Sequence, residues 1–258
     1  MQQATRHGTR MESKTNLIRL LSYNIQCGIS TAGYHHYLTK SWQHVLPHPH
    51  KRQNLDDIAN IVKGYDIVAL QESDAGSWRS NFINQTEYLA QKAHFKHWHS
   101  QVNRNIGKLA QHSNGLMSAL KPSKISEYKL PGFIPGRGVV SAEFEINDQR
   151  LAIFIVHLAL GKRTRMKQLG YVSEHIKEYK NAVLLGDFNC ESDSKEMQLM
   201  FSNTSLKEPV CKHKTFPSWK PSHQIDHILV SEAINVNAYE VLDHGISDHL
   251  PVAMEITL

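Results

Sequence analysis

The sequence predicts one α/β domain in which two layers of β-sheet are covered by helices. Short, nearly continuous apolar runs, such as residues 66–71, have the pattern of strands buried on both faces. Residues 138–146 and 151–158 are two apolar runs separated by the turn-forming Asn147-Asp-Gln-Arg150, and read as a hairpin. Other segments carry apolar residues at helical spacing. Hairpins mixed with buried, parallel-like strands argue against a doubly wound Rossmann sheet. Neither a glycine fingerprint after Tyr23 nor a GxxxxGK(S/T) loop is present.

In order along the chain, residues 18–23 form the first expected strand, leading to Asn24 and Gly28. Residues 29–52 hold His35, His36, His44, His48 and His50 among Gly, Pro and Ser, and read as a long irregular excursion. The spacing of these histidines fits no zinc template, so a solvated or substrate-facing loop is the expectation. Asn54 is placed to cap a helix over 54–63, with Asp56 and Asp57 in its first turn and Leu55, Ile58, Ile61 and Val62 on one stripe. A strand over 66–71 ends at Glu72, and a second helix is expected over 82–93. Residues 94–113 are patchy and polar, with a basic loop from Arg104 to Lys108, before a strand over 114–120 that Pro122 ends. After the hairpin comes a helix over 162–179, with Met166, Leu169, Val172 and Ile176 in phase. A strand over 181–185 then runs into Gly186-Asp-Phe-Asn189. Further strands are expected near Ile228, Val236 and Val252.

The 258 residues suffice to bury a substantial core, and 40% apolar with 21% charged residues is the composition of a folded soluble protein. Lys and Arg number 29 against 24 Asp and Glu, a formal charge of +5 that is compatible with a polyanionic partner or relevant only to solubility. Cys27, Cys190 and Cys211 are isolated, which points to a reducing compartment without a structural disulfide or zinc knot. No run approaches the roughly 20 apolar residues of a membrane span, so no integral membrane association is expected. Residues 1–16 are polar and lack an apolar signal region, and read as a disordered leader or tag before a single domain over 17–258. The expected location is cytoplasmic and the expected state a monomer.

Polar residues stand at the ends of the apolar strands: Asn24, Glu72, His157, Asp187 with Asn189, and Asp248 with His249. Each has a plain structural use. Asn24 serves as a turn former, Glu72 as the cap of a loop, His157 as the partner of a buried backbone group, and Asp187 and Asn189 as holders of a sharp turn. Their joint placement is less easily explained that way. Glu72, Asp248 and Asn24 offer hard oxygen ligands that suit Mg²⁺, with Mn²⁺ as the alternative ion. Asp226 heads the strand over 226–231 and is placed to orient His249. Asp187 beside Asn189 would orient or activate a water, while His249 and His157 would meet phosphoryl oxygens. Hydrolysis of a phosphate ester fits this set.

Seven stretches taken together are similar to the endonuclease/exonuclease/phosphatase superfamily of metal-dependent hydrolases. They are LSYNIQ at 21–26, IVALQES at 67–73, GRGVVSAEF at 136–144, FIVHL at 154–158, LLGDFN at 184–189, IDHILVS at 225–231 and SDHLPV at 247–252. The resemblance implies a deoxyribonuclease I-like four-layered α/β sandwich, with two mixed β-sheets packed face to face and helices outside. It implies that Asn24, Glu72 and Asp248 belong to the metal site, that Asp187 and Asn189 orient water and phosphate, and that His249 pairs with Asp226. His157 would face the scissile phosphate. Arg165 and Gln168 would match an Arg-x-x-Gln of some members, or else lie on a solvated helix face. Arg137 would approach the site or anchor its Gly-rich turn, and Trp219 would stack on a base, cover an apolar ligand or pack its loop down.

His157 and Leu160 stand where the abasic-site nucleases would show Tyr and Asn, and residues 217–221 depart from the Trp-x-Asp-Arg motif of the inositol phosphatases. The leading expectation is a Mg²⁺-dependent phosphodiesterase acting on nucleic acid, as an endonuclease or exonuclease. The alternative is a phosphatase or phosphodiesterase for a lipid head group or small phosphorylated metabolite, and a non-catalytic binding protein is the distant one.

Overall fold

A computed structural model describes residues 17–31, 50–133, 136–209 and 213–258. The expected leader, Cys211 and residues 32–49 of the expected excursion over 29–52 lie outside them. Two six-stranded mixed sheets form the centre. The first contains β1 (Ile18–Asn24), β2 (Ile67–Asp74), β3 (His97–Ile106), β4 (Ala110–Ser118), β11 (Asn235–Val241) and β12 (Val252–Thr257), in the order β11-β12-β1-β2-β4-β3. The second contains β5 (Lys124–Lys129), β6 (Gly138–Ile146), β7 (Gln149–His157), β8 (Asn181–Asp187), β9 (Leu206–Lys207) and β10 (Asp226–Ser231), in the order β5-β6-β7-β8-β10-β9.

Alternation along the strands explains why these runs are apolar throughout. Leu20, Ile67 and Ala69 enter a core shared with Ile153, Ile155, Val183, Leu185 and Ile228 of the other sheet. Their neighbours Leu21, Val68 and Leu70 face outward, where Leu55, Ile58 and Val62 of α1 (His50–Val62) and Leu89 and Ala90 of α2 (Gln85–Lys92) cover them. On the second sheet, Ala152, Phe154, Ala182 and Leu184 pack against Leu169, Val172 and Ile176 of α3 (Lys162–Ile176) and Met197 and Met200 of α4 (Lys195–Asn203). Fully burying each Leu or Ile stabilises the sandwich by roughly 1.5–3 kcal/mol. The result is the four-layered arrangement of helix, sheet, sheet and helix.

Several boundaries differ from expectation. Helix α1 already includes His50, so Asn54 is not its cap; the Asn54 amide instead donates to the Gly28 carbonyl. Helix α2 starts at Gln85 because Asn84 caps it, accepting from the Thr86 and Glu87 amides, while Phe82 stands exposed in the left-handed region. The patchy polar stretch is the hairpin β3–β4, and the basic residues from Arg104 to Lys108 span the end of β3 and its turn. Strand β2 continues past Glu72, which sits in a bulge at φ 54. No helix among the described residues is long and apolar enough to cross a membrane. Cys27 and Cys190 are buried free thiols.

Candidate active site

Strand register assembles the site. Strand β8 lies between β7, which runs parallel to it, and β10, which runs antiparallel, so the end of β8 meets the end of β7 and the start of β10. Asp187 is thereby paired with His157 on one side and Asp226 on the other. Gly186 precedes it at φ 145, with the Val156 carbonyl so close that a Cβ would collide with it. From the facing sheet, Asn24 at the end of β1 donates from Nδ2 to Asp187 Oδ2 over 3.0 Å, joining the two layers. Strand β12 is antiparallel to β1, so the residues just before it, Ser247, Asp248 and His249, arrive at the same edge.

The imidazole of His249 has both nitrogens beside carboxylates. Nδ1 lies 2.8 Å from Asp226 Oδ2, and Nε2 lies 3.9 Å from Asp187 Oδ2. Burial alone would discharge this ring, but Asp226 and Asp187 outweigh it and push its pKa up to about 10. Asp226 is fixed in turn by the Thr215 hydroxyl, which donates to Oδ2 at 2.5 Å. Burial raises the proton affinity of Asp187 above the usual carboxylate range, opposed by His249 and reinforced by Asp226. Its Oδ1 accepts from the Asn189 amide at 2.9 Å, and the Asn189 side chain donates to the Leu158 carbonyl at 3.0 Å. Asn189 is held in the left-handed region, at φ 53. His157 Nε2 is 3.4 Å from Asp187 and 3.9 Å from Glu72; burial, with Arg137 and His249, keeps this second imidazole well below the usual histidine range and neutral.

Glu72 projects from its bulge with its side chain about one third exposed. Burial and the nearby Asp248 raise its proton affinity, while His249, Arg137 and a hydrogen bond with Asn24 lower it. Asp248 accepts from Gln26 Nε2 at 3.1 Å, and Thr31 fixes the other end of that amide at 2.8 Å. Glu72 and Asp248, close enough to oppose each other's charge, are what a divalent cation would relieve, while the Asp226 Oδ1 atom, buried without a hydrogen-bond partner among the described residues, would be relieved by an ion on the Asp226 side. Asp187, Asp226 and His249 offer a candidate three-donor group with ligand atoms within 4.8 Å. His249 already engages Asp226 through Nδ1, and the oxygen set of Glu72, Asn24 and Asp248 fits a hard ion by the chemistry of its donors.

Beside Glu72 and His157 opens a cavity of about 470 Å³, lined also by Asn103, Arg104, His112, Asn114, Arg137 and Leu160. Arg137 faces it, within the electrostatic influence of Glu72 and Asp187. Arg165 and Gln168 do not reach it as expected of substrate ligands. Arg165 spends its guanidinium on Glu196 at 2.8 Å and on the carbonyls of Ala159 and Leu160, and Gln168 bridges the Ala159 amide and the Pro131 carbonyl. Both hold the cavity wall from behind. Trp219, half-buried, is not among the cavity-lining residues.

Residues that the sequence reading did not single out include Gln26 and Thr215, which fix Asp248 and Asp226. Another is Asp74, whose carboxylate accepts from the Gly76 and Ser77 amides, the Ser77 and Ser80 hydroxyls and Arg79 Nε. Gln26 stands two residues from Asn24 and could have been found by proximity. Nothing in the spacing around Thr215 or Asp74 announces these bonds.

A sandwich of two mixed sheets with carboxylates, amides and histidines gathered at one edge defines a class, that of the metal-dependent phosphoesterases. The chain belongs to the endonuclease/exonuclease/phosphatase family, whose model matches residues 21–249. Among solved structures it is similar to an endonuclease/exonuclease/phosphatase from Beutenbergia cavernae DSM 12333, at 18% identity and a TM-score of 0.73, covering 94% of this chain and 72% of that one. A mannosyl-6-phosphatase from Bacteroides thetaiotaomicron VPI-5482 is similar at 19% identity and a TM-score of 0.70, covering 93% and 100%. The catalytic domain of human Nocturnin, with bound sulfate, aligns at 16% identity and a TM-score of 0.69, covering 93% and 94%. No curated protein sequence matches this chain.

Proposed function

We propose that the protein is a Mg²⁺- or Mn²⁺-dependent phosphoester hydrolase that cleaves by attack of water on phosphorus. The observation that carries this reading is the buried chain Thr215–Asp226–His249, with Asp187 within 3.9 Å of the free side of the imidazole. It keeps one cationic donor and one basic carboxylate side by side in a site closed to bulk water. The charged His249 donates from Nε2 to a phosphoryl oxygen. Asp187, anchored by Asn24 and the Asn189 amide, takes the proton of the attacking water as the oxygen–phosphorus bond forms and the ester bond breaks. Neutral His157 meets the phosphate from the other side. When bound by Glu72, Asn24 and Asp248, the cation supplies neutralising charge at the phosphoryl oxygens.

The compact cavity supports a small phosphoester as the substrate, because its volume lies in the range of small-molecule sites. The mannosyl-6-phosphatase among the similar structures gives that reading a precedent in the fold. Nucleic acid is the second reading, favoured by exposed Arg104 and Lys108 on the β3–β4 hairpin, which extend positive charge beyond the cavity. Turnover of DNA, RNA, sugar phosphates and a chromogenic phosphodiester, each with Mg²⁺, Mn²⁺ or EDTA, tests both. Sugar phosphates as the best substrates, with little salt dependence, agree with the first reading. Preferred cleavage of polymers with a steep fall in rate as salt rises overturns it, and no turnover of anything with metal present overturns the hydrolase.

A further inference from the structure

The cavity holds more positive charge than a single reacting phosphate needs. At its catalytic end stand Glu72 and His157. Farther along, its lining contains Arg137 and Arg104, and Glu72, at the catalytic end, is the sole carboxylate of that lining among the described residues. Neither guanidinium has a hydrogen bond or ion pair among the described residues, although the Arg137 carbonyl accepts from the Leu130 amide. The two are close enough to repel each other's charge. Between them and buried Arg79, His112 is kept neutral, with burial and the neighbouring guanidiniums lowering its pKa to about 4. Arg137 is faced by Glu72 and Asp187, but Arg104 and Arg137 together outnumber the one carboxylate described in the lining, which raises the local preference for an anion.

Their positions are built. Gly136, at φ 114, lets its backbone lie against the side chain of Arg104, where a Cβ would meet Arg104 Cβ at 2.9 Å. The aliphatic stem of Arg104 is thus braced across the gap between the sheets, while Arg104 itself remains on the exposed edge strand β3. Gly138 similarly leaves room for Asn103, so β3 and the start of β6 approach closely enough to form the cavity wall. Phe133 and Leu160, both in the lining, present exposed apolar surface.

We propose that Arg104 and Arg137 form a subsite for a second anionic group on the substrate, so that the preferred substrate class is a compact phosphoester carrying a second phosphate. This deepens, and rests on, the reading of the neighbouring site as a phosphoester hydrolase. The guanidinium fork suits a phosphate bidentately, and two such forks lining one cavity would hold a second phosphate there.

Calorimetric titration in EDTA separates this binding from the chemistry. The probes are glucose 6-phosphate and glucose 1,6-bisphosphate, against the wild-type protein, Arg104→Gln, Arg104→Glu and Arg137→Gln. Because Arg104 is exposed on an edge strand, its variants keep the test open even if Arg137→Gln fails to fold. The wild type is expected to bind the bisphosphate about tenfold or more tightly than the monophosphate, each Gln variant to lose most of that preference, and Arg104→Glu to abolish it. Equal affinity for the two sugars, no binding of either, or a preference retained in Arg104→Glu overturns the subsite. Preference in the titration without turnover in Mg²⁺ leaves the subsite standing and removes the hydrolase reading instead.

Discussion

At the residue scale, the site depends on how burial and charge divide the protons. His249 is buried between Asp226 and Asp187 and stays charged, whereas His157, equally buried but facing Arg137, is neutral. The two imidazoles therefore are not interchangeable. Asp187→Ala and His249→Ala are expected to lower kcat by about a thousandfold or more with unchanged circular dichroism, since both groups act mainly on the transition state. Rates within threefold of wild type would remove them from the chemistry. His112 allows a separate test through stability. Its folded pKa of about 4 lies below the ordinary histidine value of about 6.5, so the unfolded chain binds the extra proton first. Its contribution is complete above about pH 6.5 and is lost as pH falls toward 4. The melting temperature should drop across that window, and His112→Asn should flatten the drop; an equal drop in the variant would contradict the assignment.

At the element scale, legibility followed the strength of the pattern. The runs of β1, β2, β7 and β8 were readable because both faces of each strand are buried, between the sheets and beneath the helices. The edge strand β3 was not, since half-exposed His97, His99 and Asn103 leave it no apolar face to alternate with. Arg165 and Gln168 had the right spacing on α3 for substrate ligands, yet spacing does not reveal that loop carbonyls and Glu196 already occupy them. Arg165→Ala would strand the Glu196 carboxylate, which is 1% exposed, and should cost about 3 kcal/mol in urea denaturation. It should also raise KM by loosening residues 159–161, and an unchanged denaturation midpoint would show that the clamp carries no weight. Gly186 was read only as part of a turn; its φ of 145 and the adjacent Val156 carbonyl make it obligatory. Gly186→Ala should fail to give soluble folded protein, and a normal melting curve would refute that.

At the scale of the whole molecule, two sheets bring together residues far apart in the chain. Asn24 meets Asp187, and Gln26 meets Asp248, because β1 and β12 lie side by side in one sheet and face the end of β8 in the other. The strand-end polar residues were legible as a set because each ended an apolar run, and the His249–Asp226 pairing followed from their placement. At the substrate end Arg137 was legible and Arg104 was not, because that part of the cavity is made by a polar hairpin and two glycines whose close approach no spacing encodes.

The central claim is metal-dependent attack of water on phosphorus, and hydrolysis of bis(4-nitrophenyl) phosphate in ¹⁸O-labelled water reads it directly. With Mg²⁺ or Mn²⁺, the expected result is one ¹⁸O in each 4-nitrophenyl phosphate released, none in the nitrophenol, and no turnover in EDTA. Label in the nitrophenol, or undiminished turnover in EDTA, would contradict it.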